Sequence, residues 1–358
     1  MGRSREFSLL IECCRWAFAG GDPDHVRDLE AGVFWPAFLS LARFHRVQAL
    51  VWHCLRTLDV AVPSGAAETL DVEAKRIAAT NLRMAVECRR LLESFSERRI
   101  PLLFLKGLSV AALAYRDPFL KMSWDIDVLI APTDLNGASE VLFGDGYQLT
   151  TPRRTALPAW HEREKESVWK KMSEGFTLEL HTRLADNRRL VPEITTQSPS
   201  QDVEIAPGTI LPTLGPDELF AYLCVHGASS AWFRLKWVTD LAALLHAQRP
   251  QEIGRLYRRS QELGAGRAPA QALLLADALY GTLDSSPGLK GELERGRSNC
   301  LLFRAALAEL GGQADPVEPT QRALGTATIH WTQLFLRPGI GFKASELARQ
   351  VRRAFARF

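Results

Sequence analysis

Residues 124–131 read W-D-I-D-V-L-I-A, an apolar segment carrying two carboxylates two positions apart. In an extended chain successive side chains point to opposite faces. Asp125 and Asp127 therefore project together, and Trp124, Ile126, Val128 and Ile130 form the other, apolar face. A strand of this kind puts its apolar face in a core and leaves two anions roughly 6–7 Å apart on the reverse. That arrangement is costly unless the charge is met. Either the strand lies at a sheet edge with both Asp side chains in water, or cations sit against them. A pair of Mg²⁺ ions is the usual neutraliser, because hard cations take carboxylate oxygens.

Two further segments repeat the theme. In F-T-L-E-L-H (residues 176–181) the apolar positions 176, 178 and 180 share one face, and Thr177, Glu179 and His181 share the other. If this strand pairs beside 124–131, three carboxylates converge. Lys106-Gly107-Leu108-Ser109 ends a short apolar run, I-P-L-L-F-L, and opens a small-residue helix. A glycine there allows close backbone approach and the helix start leaves amides free, which is the geometry of an anion site, although any strand-to-helix turn can hold glycine. No Walker loop is present. A phosphate-binding turn, a D-x-D strand and a later strand carboxylate together make the parts of a two-metal phosphoryl-transfer site.

The bulk composition sets the frame for that chemistry. With 358 residues, 46% hydrophobic and 24% charged, the chain has the make-up of an ordinary globular protein of two or three domains, which excludes disordered and collagen-like classes. A net charge of +3, from 44 basic and 41 acidic residues, speaks neither for nor against a nucleic-acid partner. The six cysteines are scattered without a C-x-x-C pair and read as buried hydrophobes in a reducing compartment. No apolar run approaches the roughly 18–20 residues of a membrane span. Glu12 and Arg15 interrupt the only N-terminal apolar stretch, and Glu6 stands where a myristoylation signal wants Ser or Thr. A cytoplasmic location without membrane contact is expected.

Periodicity divides the chain into three segments. Residues 1–94 read as a helical domain: a run of apolar positions from Phe38 to Leu55 follows Trp35-Pro36, and a second spans Leu70 to Leu92. Residues 95–205 carry strands at 100–105, 124–131, 146–150, 166–172 and 176–182, with helices at 108–115 and 133–144. Strand and helix alternate but the last strands cluster, which predicts an α+β fold with a mixed sheet. Residues 186–216 hold five prolines and read as irregular, a linker or an excursion over the surface. Residues 206–358 form a C-terminal helical domain, with helices from Pro216, from Trp232 to His246 and from Ala268 to Leu283, a loop at 311–325 and a basic amphipathic tail from 343.

Taken in order, these motifs resemble the uncharacterised nucleotidyltransferase family of the DNA-polymerase-β-like superfamily. The stretch L-K-G-L-S-V-A-A-L-A-Y-R-D-P-F-L-K-M-S-W-D-I-D-V-L-I (105–130) matches its L-K-G turn and D-I-D strand. Glu179-Leu180-His181-Thr182-Arg183-Leu184 matches its E-L-H-x-R-L element. His226, with Arg234-Leu235-Lys236-Trp237-Val238-Thr239-Asp240-Leu241, matches a later helical element. The resemblance implies a polymerase-β-like palm flanked by helical domains. It also implies transfer of a nucleoside monophosphate from an NTP such as ATP, with release of pyrophosphate. Asp125 and Asp127 would bind two Mg²⁺ ions (Mn²⁺ being the alternative). Glu179 would complete one shell and orient or deprotonate the acceptor, and Gly107 and Ser109 would hold the β- and γ-phosphates. Leu108 departs from the Gly-Gly or Gly-Ser of the superfamily turn, and Lys121 replaces an Arg, keeping the charge without the planar fork. A peptide is the favoured acceptor. A tRNA-modifying enzyme of the toxin type, or a non-catalytic palm that binds a partner, are the alternatives.

Several residues admit two meanings. Lys236 and Asp240 are either an i,i+4 helix pair or contacts to the triphosphate or base. Lys106 either touches phosphate or merely flanks the turn. His181 either contacts the acceptor or positions its strand, and Arg183 pairs with Glu179 or with phosphate. His226 reads as a hydrogen-bonded core residue. Trp160, Trp169 and Trp232 pack in a core or stack a base. The tail from Arg349 to Phe358 is a charged helix face or a docking surface for RNA or an acidic peptide.

Overall fold

The computed structural model describes residues 3–153, 155–311, 317–321 and 325–355. It is an α+β protein that divides into two compact units, residues 77–222 and residues 1–76 with 223–358. The division falls inside two helices, Ser64–Glu97 and Pro216–Ser229.

The first unit is built on a mixed five-stranded sheet. Its strands are β1 (Leu103–Phe104), β2 (Ile126–Leu129), β3 (Gln148–Thr151), β4 (Glu166–Lys171) and β5 (Phe176–His181). The spatial order is β1-β2-β5-β4-β3, with β2 and β5 parallel and the other pairs antiparallel. Ile126 and Val128 of β2, Leu178 and Leu180 of β5 and Trp169 of β4 pack one face of the sheet into the core. Met84, Cys88, Leu91 and Phe95 of the long helix join them, with Leu135, Ala138 and Leu142 of the helix Leu135–Gly144. Alternation along each strand then sends Asp127, Glu179 and His181 to the opposite face.

The expected linker at 186–216 is corrected by the structure. Its second half is a hairpin, β6 (Ser200–Ala206) and β7 (Thr209–Leu214), closed by Pro207-Gly208 with Gly208 at φ +73°. Pro207 and Pro212 obscure the alternation that builds it: Val203, Ile205 and Leu211 point into the same core as the main sheet. The Thr213 hydroxyl donates to the Phe104 carbonyl at 2.6 Å and ties the hairpin to β1. Trp124 is corrected as well. It precedes β2 and is 56% exposed, so the apolar face of this strand begins at Ile126.

The second unit is helical among its described residues. Its core includes Leu9, Leu10 and Cys14 of the helix Arg5–Ala19, with Phe38, Val51 and Leu241 also buried. The run expected from Trp35 to Leu55 is two helices, Trp35–His45 and Gln48–Thr57, separated where Arg46 takes a left-handed conformation at φ 58°. The helix expected from Trp232 starts at Leu235 instead. Ala231 and Trp232 have positive φ, and the Trp232 ring packs so closely on Gly227 that a Cβ there would lie 2.5 Å from it. Five of the six cysteines are buried free thiols, as hydrophobic packing residues should be. The C-terminal helix Ile340–Phe355 leaves Arg352 and Arg353 exposed but folds Arg349 back onto Glu346 and Gln333. Residues 356–358 of the tail, and 312–316 and 322–324 of the expected loop, lie outside the described residues. Among the described residues no helix is long and apolar enough to cross a membrane.

Candidate active site

The parallel pairing of β2 with β5 sets Asp127 directly opposite Glu179 and Leu129 opposite His181. The antiparallel pairing of β4 with β5 then sets Glu166 opposite His181. Residues opposite one another in a sheet share a face. Four ionisable side chains from three strands are thereby collected on the face away from the core.

His181 lies at the middle of this group. Its side chain is 0% exposed, with Nε2 3.1 Å from Asp127 Oδ1 and 3.7 Å from Glu179 Oε2, and Nδ1 3.4 Å from Glu166 Oε2. Ligand atoms of Asp127, Glu179 and His181 all lie within 4.8 Å of one another. Two ammonium groups offset the acids. Lys106 Nζ is 2.9 Å from Asp127 Oδ1, and Lys165 pairs with Glu166. Lys106 arrives there because its neighbour Leu105 extends the β1 ladder, donating its N–H to the Asp127 carbonyl at 3.0 Å.

The electrostatics follow from this packing. Burial disfavours the Asp127 carboxylate, but Lys106 and His181 outweigh it and hold the group well below the usual range. Burial likewise opposes the Lys106 ammonium, and Asp127, with Tyr222, Asp125 and Glu179, holds it well above its ordinary value. Burial dominates at Glu179, reinforced by the negative charges of Asp127 and Glu166, and its carboxyl is raised. Glu166 is drawn down to about 2 despite its burial, mainly by Lys165 and then by His181. His181 is raised, because Glu166, Asp127 and Glu179 together overcome its burial and the nearby Lys165. The group is thus a neutralised cluster of buried charges with one carboxyl, Glu179, poised to take a proton.

The glycine turn lies beside it. Gly107 caps the helix Leu108–Tyr115 with φ +68°, a conformation that favours glycine. A Cβ on Gly107 would come within 3.5 Å of Ser123 Oγ. The hydroxyls of Ser109 and Ser123 are both buried without a hydrogen-bond partner. Buried hydroxyls in this state are donors awaiting an acceptor.

The structure brings together Asp127, Glu179, His181 and Lys106, with Gly107 at the adjoining turn. Asp125 precedes β2 and stands outside the three-residue group, contributing its charge to Lys106. Lys121 is buried, and its carbonyl accepts from Asn81 Nδ2 at 2.6 Å. The Arg183 guanidinium donates to the carbonyls of His161 at 2.7 Å and Arg163 at 2.5 Å, pinning that loop. Lys236 and Asp240 lie on the helix Leu235–His246 of the helical unit, as does His226 on Pro216–Ser229, its ring 5.4 Å from Trp237. Trp169 and Trp232 are fully buried core residues, and the Trp160 indole donates to the Glu166 carbonyl at 2.7 Å. Sequence reasoning missed Ser123, Lys165 and Glu166. Glu166 opens an alternating strand, E-S-V-W-K-K, which is a visible signal, but only the β4–β5 register shows that it meets His181.

Residues 32–281 match the family model described as uncharacterised nucleotidyltransferase. The chain belongs to that family. No curated protein matches it. For an uncharacterised nucleotidyltransferase the expected chemistry is nucleotidyl transfer from an NTP, a reaction that generally uses divalent cations. The donor set fits such a cation: two carboxylates and an imidazole converge, with Asp127 and His181 buried and Glu179 half-buried.

Proposed function

We propose that the protein carries a polymerase-β-like palm and transfers a nucleoside monophosphate from an NTP to an acceptor. The acceptor nucleophile attacks the α-phosphorus, the bond to the β-phosphate breaks, and pyrophosphate leaves. The observation that supports this best is the register of β2 with β5, which sets Asp127 opposite Glu179 beside the Gly107 turn. Asp127, Glu179 and His181 would hold a divalent cation, with Asp125 reserved for a second. Bound there, the cations supply charge neutralisation to the triphosphate and the attacking oxygen.

The chain's own residues do the rest. The backbone at Gly107 allows a phosphate to approach the start of the helix Leu108–Tyr115, and the unpaired hydroxyls of Ser109 and Ser123 give it donors. Lys106 adds positive charge where the triphosphate would lie. Glu179 would complete the cation's shell and orient or deprotonate the acceptor. Beyond β5, residues 182–185 line a cavity of about 480 Å³ with apolar walls from Leu190, Val191 and Ile194 and with Arg183 and Arg188 at hand. A peptide side chain suits that surface better than a tRNA end, so a peptide is the acceptor we propose.

The test is incubation with each labelled NTP and Mg²⁺, with candidate peptides and separately with total RNA, reading by mass spectrometry which molecule gains the label. Label on peptide supports the reading, and label on RNA replaces its acceptor. Asp127→Ala should lower transfer by roughly 10³-fold, about 4 kcal/mol of barrier. Near-normal rates in that variant would sink the mechanism. Absence of magnesium-dependent nucleotide binding at millimolar concentration would leave a non-catalytic binding module.

A further inference from the structure

The three carboxylates expected to define the cation site are not the three ligands the sheet assembles. A nitrogen has entered the group, and a fourth carboxylate stands behind it. His181 Nε2 faces Asp127 Oδ1 at 3.1 Å and Glu179 Oε2 at 3.7 Å, so it points into the space where those oxygens converge. Its Nδ1 faces the other way, 3.4 Å from Glu166 Oε2, and is buried without a hydrogen-bond partner. The ring is fully buried, and its position is set by β-sheet register on both sides. Lys165 pairs with Glu166 and holds that carboxylate.

We infer that His181 is a nitrogen ligand to the cation, that Glu166 is the positioning residue that orients its imidazole, and that the site therefore takes a first-row transition-metal cation, Mn²⁺ or Co²⁺, ahead of Mg²⁺. This rests on reading the Asp127 cluster as the cation site of nucleotidyl transfer. The physical reason lies in ligand preference. Mg²⁺ holds an all-oxygen octahedral shell and gives up water reluctantly, whereas later divalent ions accept imidazole and gain affinity along the first-row series. To hold a cation, His181 would offer the Nε2 lone pair, any proton on that nitrogen passing to solvent. Nδ1–H then donates to Glu166, which fixes tautomer and ring plane together. Carboxylates placed behind a ligating histidine act in this way, and losing one costs metal affinity.

The experiment uses the full chain with MnCl₂, CoCl₂ or MgCl₂ as the only added ligand. Calorimetry should show Mn²⁺ and Co²⁺ binding roughly tenfold or more tightly than Mg²⁺. Pulsed EPR of the Mn²⁺-loaded chain should show coupling to a ¹⁴N nucleus, and this coupling should vanish in His181→Gln. Glu166→Ala should weaken Mn²⁺ binding by roughly 10- to 100-fold, and Glu166→Gln, whose amide oxygen can still accept from Nδ1–H, should recover part of the loss. Absence of nitrogen coupling in the unaltered chain, or equal affinity for Mn²⁺ and Mg²⁺, overturns the inference regardless of how the variants fold. Either result leaves nucleotidyl transfer standing if Mg²⁺ still supports labelling. Nitrogen coupling without labelling by any NTP would sink the transferase reading and keep the His181 site. Unchanged Mn²⁺ binding in Asp127→Asn would overturn both.

Discussion

Each compact unit buries a histidine completely, and the two are held in opposite ways. His45 of the helical unit sits against Phe7 and Phe44, with ring centroids 5.4 and 5.0 Å away, and its Nδ1 accepts the Leu235 N–H at 3.1 Å. Burial, and then the Arg234 guanidinium, push its pKa down to about 3. His181 is no more exposed, yet three carboxylates hold it above its ordinary value. Burial alone therefore does not tell a packing histidine from a chemical one. The sign of the charge around it does. The helical core surrounds His45 with rings and a backbone donor, while the sheet concentrates opposed charges around His181 on one face where a ligand can compete for them.

The contrast breaks first under truncation. His45→Ala should cost about 2–3 kcal/mol, because it opens a cavity and strands the Leu235 amide. Chemical denaturation would read this as a lowered midpoint. His181→Gln should remove cation binding selectivity, which His45→Ala should leave intact. If the two substitutions gave the same profile, the distinction between the two environments would fail.

Acid sharpens the comparison. His45 is depressed when folded, so the stability it contributes is complete above roughly pH 6.5 and is lost as pH falls from there toward its folded value, by about 1.4 kcal/mol per pH unit. His181 is raised, so its contribution is complete below roughly pH 6.5 and is lost as pH rises through its folded value. Hydrogen exchange between pH 5 and 8 should show protection in the helix Trp35–His45 falling with acid, while β5 moves the other way. His45→Gln should flatten the first trend and leave the second.

The smallest effect tests how the sheet unit holds its hairpin. Thr213→Val should cost about 1–2 kcal/mol by stranding the Phe104 carbonyl, read as a lower thermal midpoint with cation affinity unchanged. A loss of cation binding would mean that β7 supports the site more directly than its contacts indicate.

How much of this was legible depended on the length of chain over which each signal acts. The helix 108–115 and the strands carrying Asp127 and Glu179 are local patterns, and they stand close to where periodicity placed them. The hairpin Ser200–Leu214 was hidden because proline masks alternation and its apolar residues make sense only against a core that other segments build. Arg183 follows a motif strand and carries the right charge for phosphate, yet its guanidinium is spent on the carbonyls of residues 161 and 163. Glu166 drew no notice in the sequence, and only the pairing of β4 with β5 makes it the neighbour of His181.

By itself the sequence determined the α+β class, the D-x-D and E-L-H strands, the glycine turn and membership of the uncharacterised nucleotidyltransferase family, because each is written in spacing along a short stretch. Only the tertiary structure decided which residues meet. Strand order and register brought Asp127, Glu179, His181 and Glu166 to one face, set Asp125 outside that group and gave Lys106 to Asp127. The reason is physical: alternation assigns a side chain to a face, but its neighbours across the sheet depend on hydrogen-bonded pairing between segments distant in the chain, and a slip of one residue would change every partner.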